Sequence, residues 1–190
     1  RDTNAVSTLK VQVKGYINPA QVDVEDPIDA EYKICQDLLK FCRGGNHLVF
    51  ANSRNRTESI AATLSDMCDQ QYVPNEFFPH HGSLSKELRE SLEKRLQQEQ
   101  YPTTAVCTMT LELGIDIGKV HSVIQVTAPH SVSSLRQRMG RSGRRGGASI
   151  LRMLIAEDEL TKDSNPIDKL RLELIQSLAM IRLLISSKWY

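Results

Sequence analysis

The stretch QRMGRSGRR, residues 137–145, places four arginines and two glycines in nine positions. The formal net charge of the whole chain is +1, so this is a local concentration of positive charge within a nearly neutral protein. Arginine carries a planar fork of donors and stays charged at any physiological pH, which matches it to phosphate oxygens. Arg141 and Arg144 lie three residues apart, on one face of a helical turn, and can converge on one phosphate. Gly140 and Gly143 allow a close backbone approach to a ligand. The chemistry expected is phosphate binding and the stabilisation of charge on a phosphate group.

A second set of residues follows short apolar runs: NSR (52–54), HHGSLS (80–85) and TMTLELGIDIG (108–118). Each combines hydroxyls, glycines or a histidine with the start of a helix. Free N–H groups at helix starts and small polar side chains hold phosphate oxygens. A row of such turns could follow a sugar–phosphate backbone without reading bases. Ser53, Ser83 and Ser85 are also the residue type that caps helices. Singly, capping is the commoner role; three in succession at strand ends favour a site. Asp116 sits in an otherwise apolar run and needs a partner, either an arginine or a ligand hydroxyl such as a ribose. His80 and His81 are adjacent, point to opposite faces of a strand, and have no acid or cysteine cluster to complete a metal site. No metal is expected. The following stretch, 85–100, mixes both signs of charge, with Glu90 and Lys94 at i,i+4, and reads as a solvated helix face.

These residues must be positioned by the elements around them. Apolar runs at 47–51, 76–80, 103–108, 121–126 and 148–156 read as strands, alternating with helices at 55–70, 85–100 and 132–140. This alternation predicts an α/β domain with a mainly parallel central sheet and helices on both faces. In such sheets, ligands sit beyond the carboxyl ends of the strands, where the three turns fall. Residues 1–27 read as an opening strand through Leu9, Val11 and Val13 and an acidic linker, NPAQVDVEDP. Residues 28–160 form the domain itself. Residues 161–190 read as a helix, with Pro166 near its start and apolar residues at Ile167, Leu170, Leu174, Ile175, Leu178, Ile181 and Ile185. That face is wider than one sheet contact needs, so the helix is expected to begin or contact a following domain. The chain stops at SSKWY without a cap or tail, which reads as a cut in a longer protein.

Composition sets the outer bounds. A chain of 190 residues buries one good core, or at most two small ones. Hydrophobic residues at 40% and charged residues at 25% are ordinary for a soluble globular domain. No apolar run reaches the roughly 18 residues a membrane span requires, and RDTNAVSTLK lacks the features of a signal peptide. The four cysteines form no CxxC pair. Three fall in segments that read as helices and one in a strand, as reduced core thiols do, which suits the cytoplasm. The charge balance excludes a polybasic binder and leaves room for a local anion site.

LVFANSR, HHGSLS, TMTLELGIDIG and QRMGRSGR, in that order, resemble motifs IV, IVa, V and VI of the superfamily-two helicases. HHGSLSKELRESLEKRL, TLELGIDIG and the run from VIQV to RSGRR resemble the Lhr-type (large helicase-related) branch, over roughly residues 30 to 155. The resemblance implies a RecA-like domain of the P-loop-NTPase type, the second of two motor domains in an ATP-dependent helicase. It implies that Arg141 and Arg144 reach the γ-phosphate, that Gly114, Asp116 and Gln137 lie at the nucleotide, and that Ser53, Arg54, His81, Gly82, Thr108 and Thr110 line the nucleic-acid backbone. The GxxxxGK[ST] phosphate loop does not occur in the chain, and no DExx acid pair is read as the magnesium-holding motif. In this class those parts hold the triphosphate and its ion. ATP and Mg2+ are therefore expected mainly on the N-terminal RecA-like domain of the same protein, with neither held by the chain alone and no hydrolysis by it. The other expected partner is single-stranded or duplex nucleic acid, DNA rather than RNA because motif VI opens with Gln137 instead of histidine; no membrane is expected. Arginines supplied this way accelerate hydrolysis by a factor on the order of 10³–10⁵. Two other readings stand beside this one. One is a non-motor nucleic-acid-binding module using the same basic loop. The other is a nucleotide-binding α/β enzyme of another class, disfavoured because GRSGRRGG lacks the strand-then-helix context of a dinucleotide fingerprint.

Overall fold

Strands β2 (Asn46–Phe50), β4 (Thr103–Cys107) and β5 (Ser122–Val126) are buried at every position. Continuous apolar runs of this kind belong to strands covered on both faces. They form the centre of a six-stranded sheet with β1 (Leu9–Asn18), β3 (Phe77–His80) and β6 (Ser149–Asp158), in the order β1-β6-β5-β2-β4-β3. All five pairings are parallel. This computed structural model describes residues 8–20, 28–112, 116–143 and 147–186. The opening strand is thus an edge member of the central sheet, pairing with β6 over its whole length. At the other edge, Pro79 in β3 occupies a place where its missing N–H costs no ladder bond.

Successive residues of each strand feed different cores. Val49, Val106, Ile124 and Leu154 pack with α1 (Ala30–Cys42) and α2 (Arg54–Gln70) on one face. Leu48, Phe50, Ala105, Val123 and Met153 pack with α3 (Lys86–Gln98), α4 (Val132–Met139) and α5 (Leu172–Ile185) on the other. Cys35 and Cys42 lie on α1, Cys68 on α2 and Cys107 on β4, all buried and free. Burial pushes the Cys35 and Cys42 thiols up to about 12, so they remain protonated packing groups.

The carboxy-terminal helix begins later than its apolar pattern predicts. Asp168–Leu170 form one 3-10 turn, Arg171 adopts φ 51, and α5 starts only at Leu172. The end of β6 imposes this break. Arg171 Nη1 donates to the Asp158 carbonyl, and Leu174 N donates to Glu157 Oε1 at 3.0 Å, so the acid closes the first turn from outside. Ser177, Met180 and Ile181 face inward, whereas Ile175, Leu178 and Ile185 are about half exposed. Among the described residues no helix is long and apolar enough to cross a membrane.

Candidate nucleotide and nucleic-acid interface

Three turns leave the carboxyl ends of β2, β3 and β4, which the sheet order makes neighbours. After β2, Ser53 caps α2, its Oγ accepting from Arg56 N at 3.2 Å. Both Ser53 and Arg54 are exposed. Arg54 Nη1 donates to Ser83 Oγ at 3.2 Å, tying the turn after β2 to the turn after β3. Ser85 caps α3 through Leu88 N. Of the three serines, Ser53 and Ser85 therefore do cap helices, while Ser83 serves the neighbouring turn.

The adjacent histidines take separate directions. His81 is 2% exposed, its Nε2 lying 2.9 Å from Glu58 Oε1 on α2. Any strand contact at this position falls to its main chain and to Gly82, which is exposed with open space on its Cβ side. His80 is fully buried. Its Nε2 lies 2.9 Å from Glu93 Oε1 on α3, and its Nδ1 lies 2.7 Å from Thr110 Oγ1. Burial moves His80 below the ordinary histidine range, against the pull of Glu93.

Past β4, Thr108 opens a 3-10 turn, Met109–Leu111. Thr108 N donates to the His80 carbonyl at 3.2 Å, so this turn is docked on the end of β3. Its last residues dock on the other side. Glu112, 7% exposed, accepts from Ser134 Oγ at 2.7 Å and from Arg138 Nε at 2.9 Å. Arg138 is 2% exposed; its Nη1 donates to Gln125 Oε1 at 2.5 Å, and its guanidinium carbon lies 4.6 Å from the centre of the Phe50 ring. Gln125 Nε2 in turn reaches Asn52 Oδ1 at 3.5 Å, beside Ser53. A desolvated arginine needs a carboxylate and further acceptors, and this site supplies both.

The segment after α4 carries the remaining candidates. Gln137 is exposed. Arg141 is half-buried, its Nε and Nη2 donating to the Glu112 carbonyl at 3.4 and 3.3 Å. Its own carbonyl accepts from Val120 N at 2.9 Å. Arg144 and Gly114 lie outside the described residues, as does Arg145. Asp116 is exposed and accepts from Gly118 N at 3.2 Å, a local turn bond. Gly143 has φ 99, and a Cβ there would meet Ser149 Oγ at 2.9 Å. Its glycine suits both the backbone conformation and this internal contact. Gly140, at φ −59, sits in the ordinary helical region. Among the described residues no group of three or more His, Cys, Asp or Glu is placed to hold a metal ion.

Arg138, Glu112 and Gln125 are the polar residues that sequence reading overlooks. One signal was available: Arg138 is three residues from Leu135 and shares the inward face of α4, so its charge had to be paired.

A wholly parallel sheet covered on both faces, with loops of this kind at its edge, defines a RecA-like domain. The isolated C-terminal domain of the DEAD-box protein Dbp5 superposes with a TM-score of 0.67 at 16% identity, covering 94% of this chain and 86% of that one. Residues 30–146 match the helicase conserved C-terminal domain, and the chain belongs to that family. Within it the chain is of the Lhr type. It is 38% identical over 121 residues to the ATP-dependent helicase Lhr-Core of Methanothermobacter thermautotrophicus, a match covering 64% of this chain and 14% of that protein. The structure of the Mycobacterium smegmatis helicase Lhr bound to ssDNA and AMP-PNP superposes with a TM-score of 0.70 at 29% identity, over 96% of this chain and 22% of that one. The chain thus spans a small part of the length of the Lhr relatives it matches.

Proposed function

We propose that this chain is the second motor domain of an ATP-driven nucleic-acid helicase or translocase of the cytoplasm. Arg141 and Arg144 act in cis on ATP held, with Mg2+, by a preceding RecA-like domain. Gln137, Gly114 and Asp116 line the nucleotide. Ser53, Arg54, His81, Gly82, Thr108 and Thr110 hold the backbone of a single strand, DNA in preference to RNA. Residues 161–190 contact a following domain, which covers the outer apolar stripe of α5.

The reading is supported above all by the five residues Thr108–Glu112. At one end Thr108 N meets the His80 carbonyl and, two residues on, Thr110 meets the His80 ring, beside the strand-facing turns. At the other the Glu112 carbonyl meets Arg141, the candidate for the γ-phosphate. A shift of Arg141 on domain closure is thereby transmitted to the strand-facing turns through one short, doubly docked segment. Such closure around a nucleotide is the usual way these motors change their grip. The chain alone lacks the phosphate loop and is inactive.

The deciding experiment measures phosphate release with Mg-ATP and single-stranded DNA, first for this chain alone and then for the protein in which a motor domain carrying a phosphate loop precedes it. Turnover only in the second supports the reading. Robust turnover by the chain alone overturns it.

A further inference from the structure

We infer that His80, held by Glu93, sets the direction of the Thr110 hydroxyl hydrogen and is a positioning residue for the backbone of a bound strand. The inference rests on the proposed contact between Thr110 and that strand.

The argument is one of counting hydrogens in a buried site. His80 is closed off from solvent, with Glu93 Oε1 at 2.9 Å from Nε2 and Thr110 Oγ1 at 2.7 Å from Nδ1. An ionised carboxylate only accepts, so Nε2 carries a hydrogen. In the neutral ring Nδ1 is then a bare lone pair, and among the described residues the hydrogen that satisfies it is that of the Thr110 hydroxyl. Phosphate oxygens also accept only. In this state the Thr110 oxygen offers a phosphate nothing but lone pairs, and the contact is repulsive.

A second proton reverses the arrangement. With both ring nitrogens protonated, Nδ1 donates to Thr110 Oγ1 and the hydroxyl hydrogen is released. It then has two acceptors within its reach: the His80 carbonyl at 3.2 Å, or a phosphate oxygen of the strand. The remaining tautomer, with Nδ1 protonated and Nε2 bare, sets two lone pairs against each other at 2.9 Å unless Glu93 takes a proton. Either way, turning the hydroxyl outward requires one more proton in the Glu93–His80 pair.

The surroundings determine when that proton arrives. Facing His80 from α3 are Glu93 and Arg89; His81 adjoins it but turns to Glu58 on α2; on β4 its register partner is Cys107. Burial disfavours the imidazolium, Arg89 and His81 add to that, and Glu93 opposes them. Because the folded histidine lies below its ordinary range, the neutral ring and an inward hydroxyl are the resting state at neutral pH. Strand binding draws the proton in, so affinity rises as pH falls through the histidine's pKa.

The test is fluorescence anisotropy of a labelled oligo-dT single strand with this chain, from pH 7.5 to pH 5.0 at constant ionic strength. One hydrogen bond to a charged group is worth about tenfold in affinity, so the wild type is expected to tighten by about tenfold more than two variants. In His80→Asn the amide occupies the Nδ1 position and donates to Thr110 at every pH, so binding is flat and at pH 7.5 at least equals the wild type. In Thr110→Val binding is flat and weak, while Thr110→Ser retains the wild-type profile. Parallel profiles for wild type and His80→Asn overturn the inference and leave strand binding intact. No binding by the wild type at any pH overturns the strand contact itself. Ring nitrogen NMR shifts of His80 in the wild-type chain give the answer without any substitution. A bare Nδ1 at pH 7.5 that becomes protonated on adding the strand supports the inference, and an unchanged tautomer overturns it.

Discussion

Glu112 Oε2 lies 2.9 Å from both Nε and Nη2 of Arg138, an ion pair sealed between the turn after β4 and helix α4. Each partner is nearly inaccessible to water, so neither charge is hydrated if the other is removed. Breaking such a pair from one side typically costs about 3–5 kcal/mol, whereas replacing both partners by apolar residues of similar volume is often neutral.

The first prediction follows from that asymmetry. Glu112→Ala and Arg138→Ala should each lower stability by about 3–5 kcal/mol in denaturant unfolding. The double variant Glu112→Leu, Arg138→Met should recover much of the loss. Equal, additive losses in the single and double variants would mean that the two residues are not coupled.

Arg141 should behave in the opposite way. It is only half-buried, so Arg141→Ala should cost less stability than Arg138→Ala. In the complete motor the same variant, and Arg144→Ala, should reduce ATP turnover by at least about a hundredfold with little change in ATP affinity. Lysine should rescue poorly, because a point charge cannot reproduce the planar fork. Arg145→Ala is the control and should retain activity. The measurement is kcat, ATP affinity and melting temperature for all variants side by side.

Strand binding by the chain alone should be weak and nearly independent of base sequence, since the candidate contacts are hydroxyls, main-chain groups and Arg54. The logarithm of affinity should fall against the logarithm of salt with a slope of about −0.7 per phosphate neutralised. Arg54→Ala should make that slope shallower by about 0.7. Ser83→Ala, which removes the acceptor holding Arg54, should weaken binding and leave the slope unchanged. A steep slope with strong sequence preference would instead identify a dedicated nucleic-acid-binding module.

Helix α5 should show two different sides. Ile181 is buried in the core cluster with Leu151 and Met153, and Ile181→Ala should cost about 2–5 kcal/mol. Ile175, 54% exposed, should tolerate glutamine to within about 0.5 kcal/mol in this chain. Thermal melts of both variants separate the inner face from the outer one.

Much of the fold was legible in the chain itself, because the relevant physics is local. Strand–helix alternation and continuous apolar runs specify a parallel sheet with two covered faces, and the buried strands β2, β4 and β5 bear this out. The ordered motifs from LVFANSR to QRMGRSGR identified the family because each is a short, contiguous run that can be read in the chain itself. Three things were decided only by tertiary structure. The α5 boundary depends on Glu157 and Asp158 at the end of another strand. Gly143 answers to Ser149, a contact that the glycine-rich spacing does not reveal. The pairs Glu112–Arg138 and His80–Thr110 join residues 26 and 30 positions apart, and the second exists because the sheet order sets β4 beside β3. Periodicity shows which face of an element turns inward, but not which other element it meets there; that depends on strand order and register, and those are set by the packing of the whole sheet.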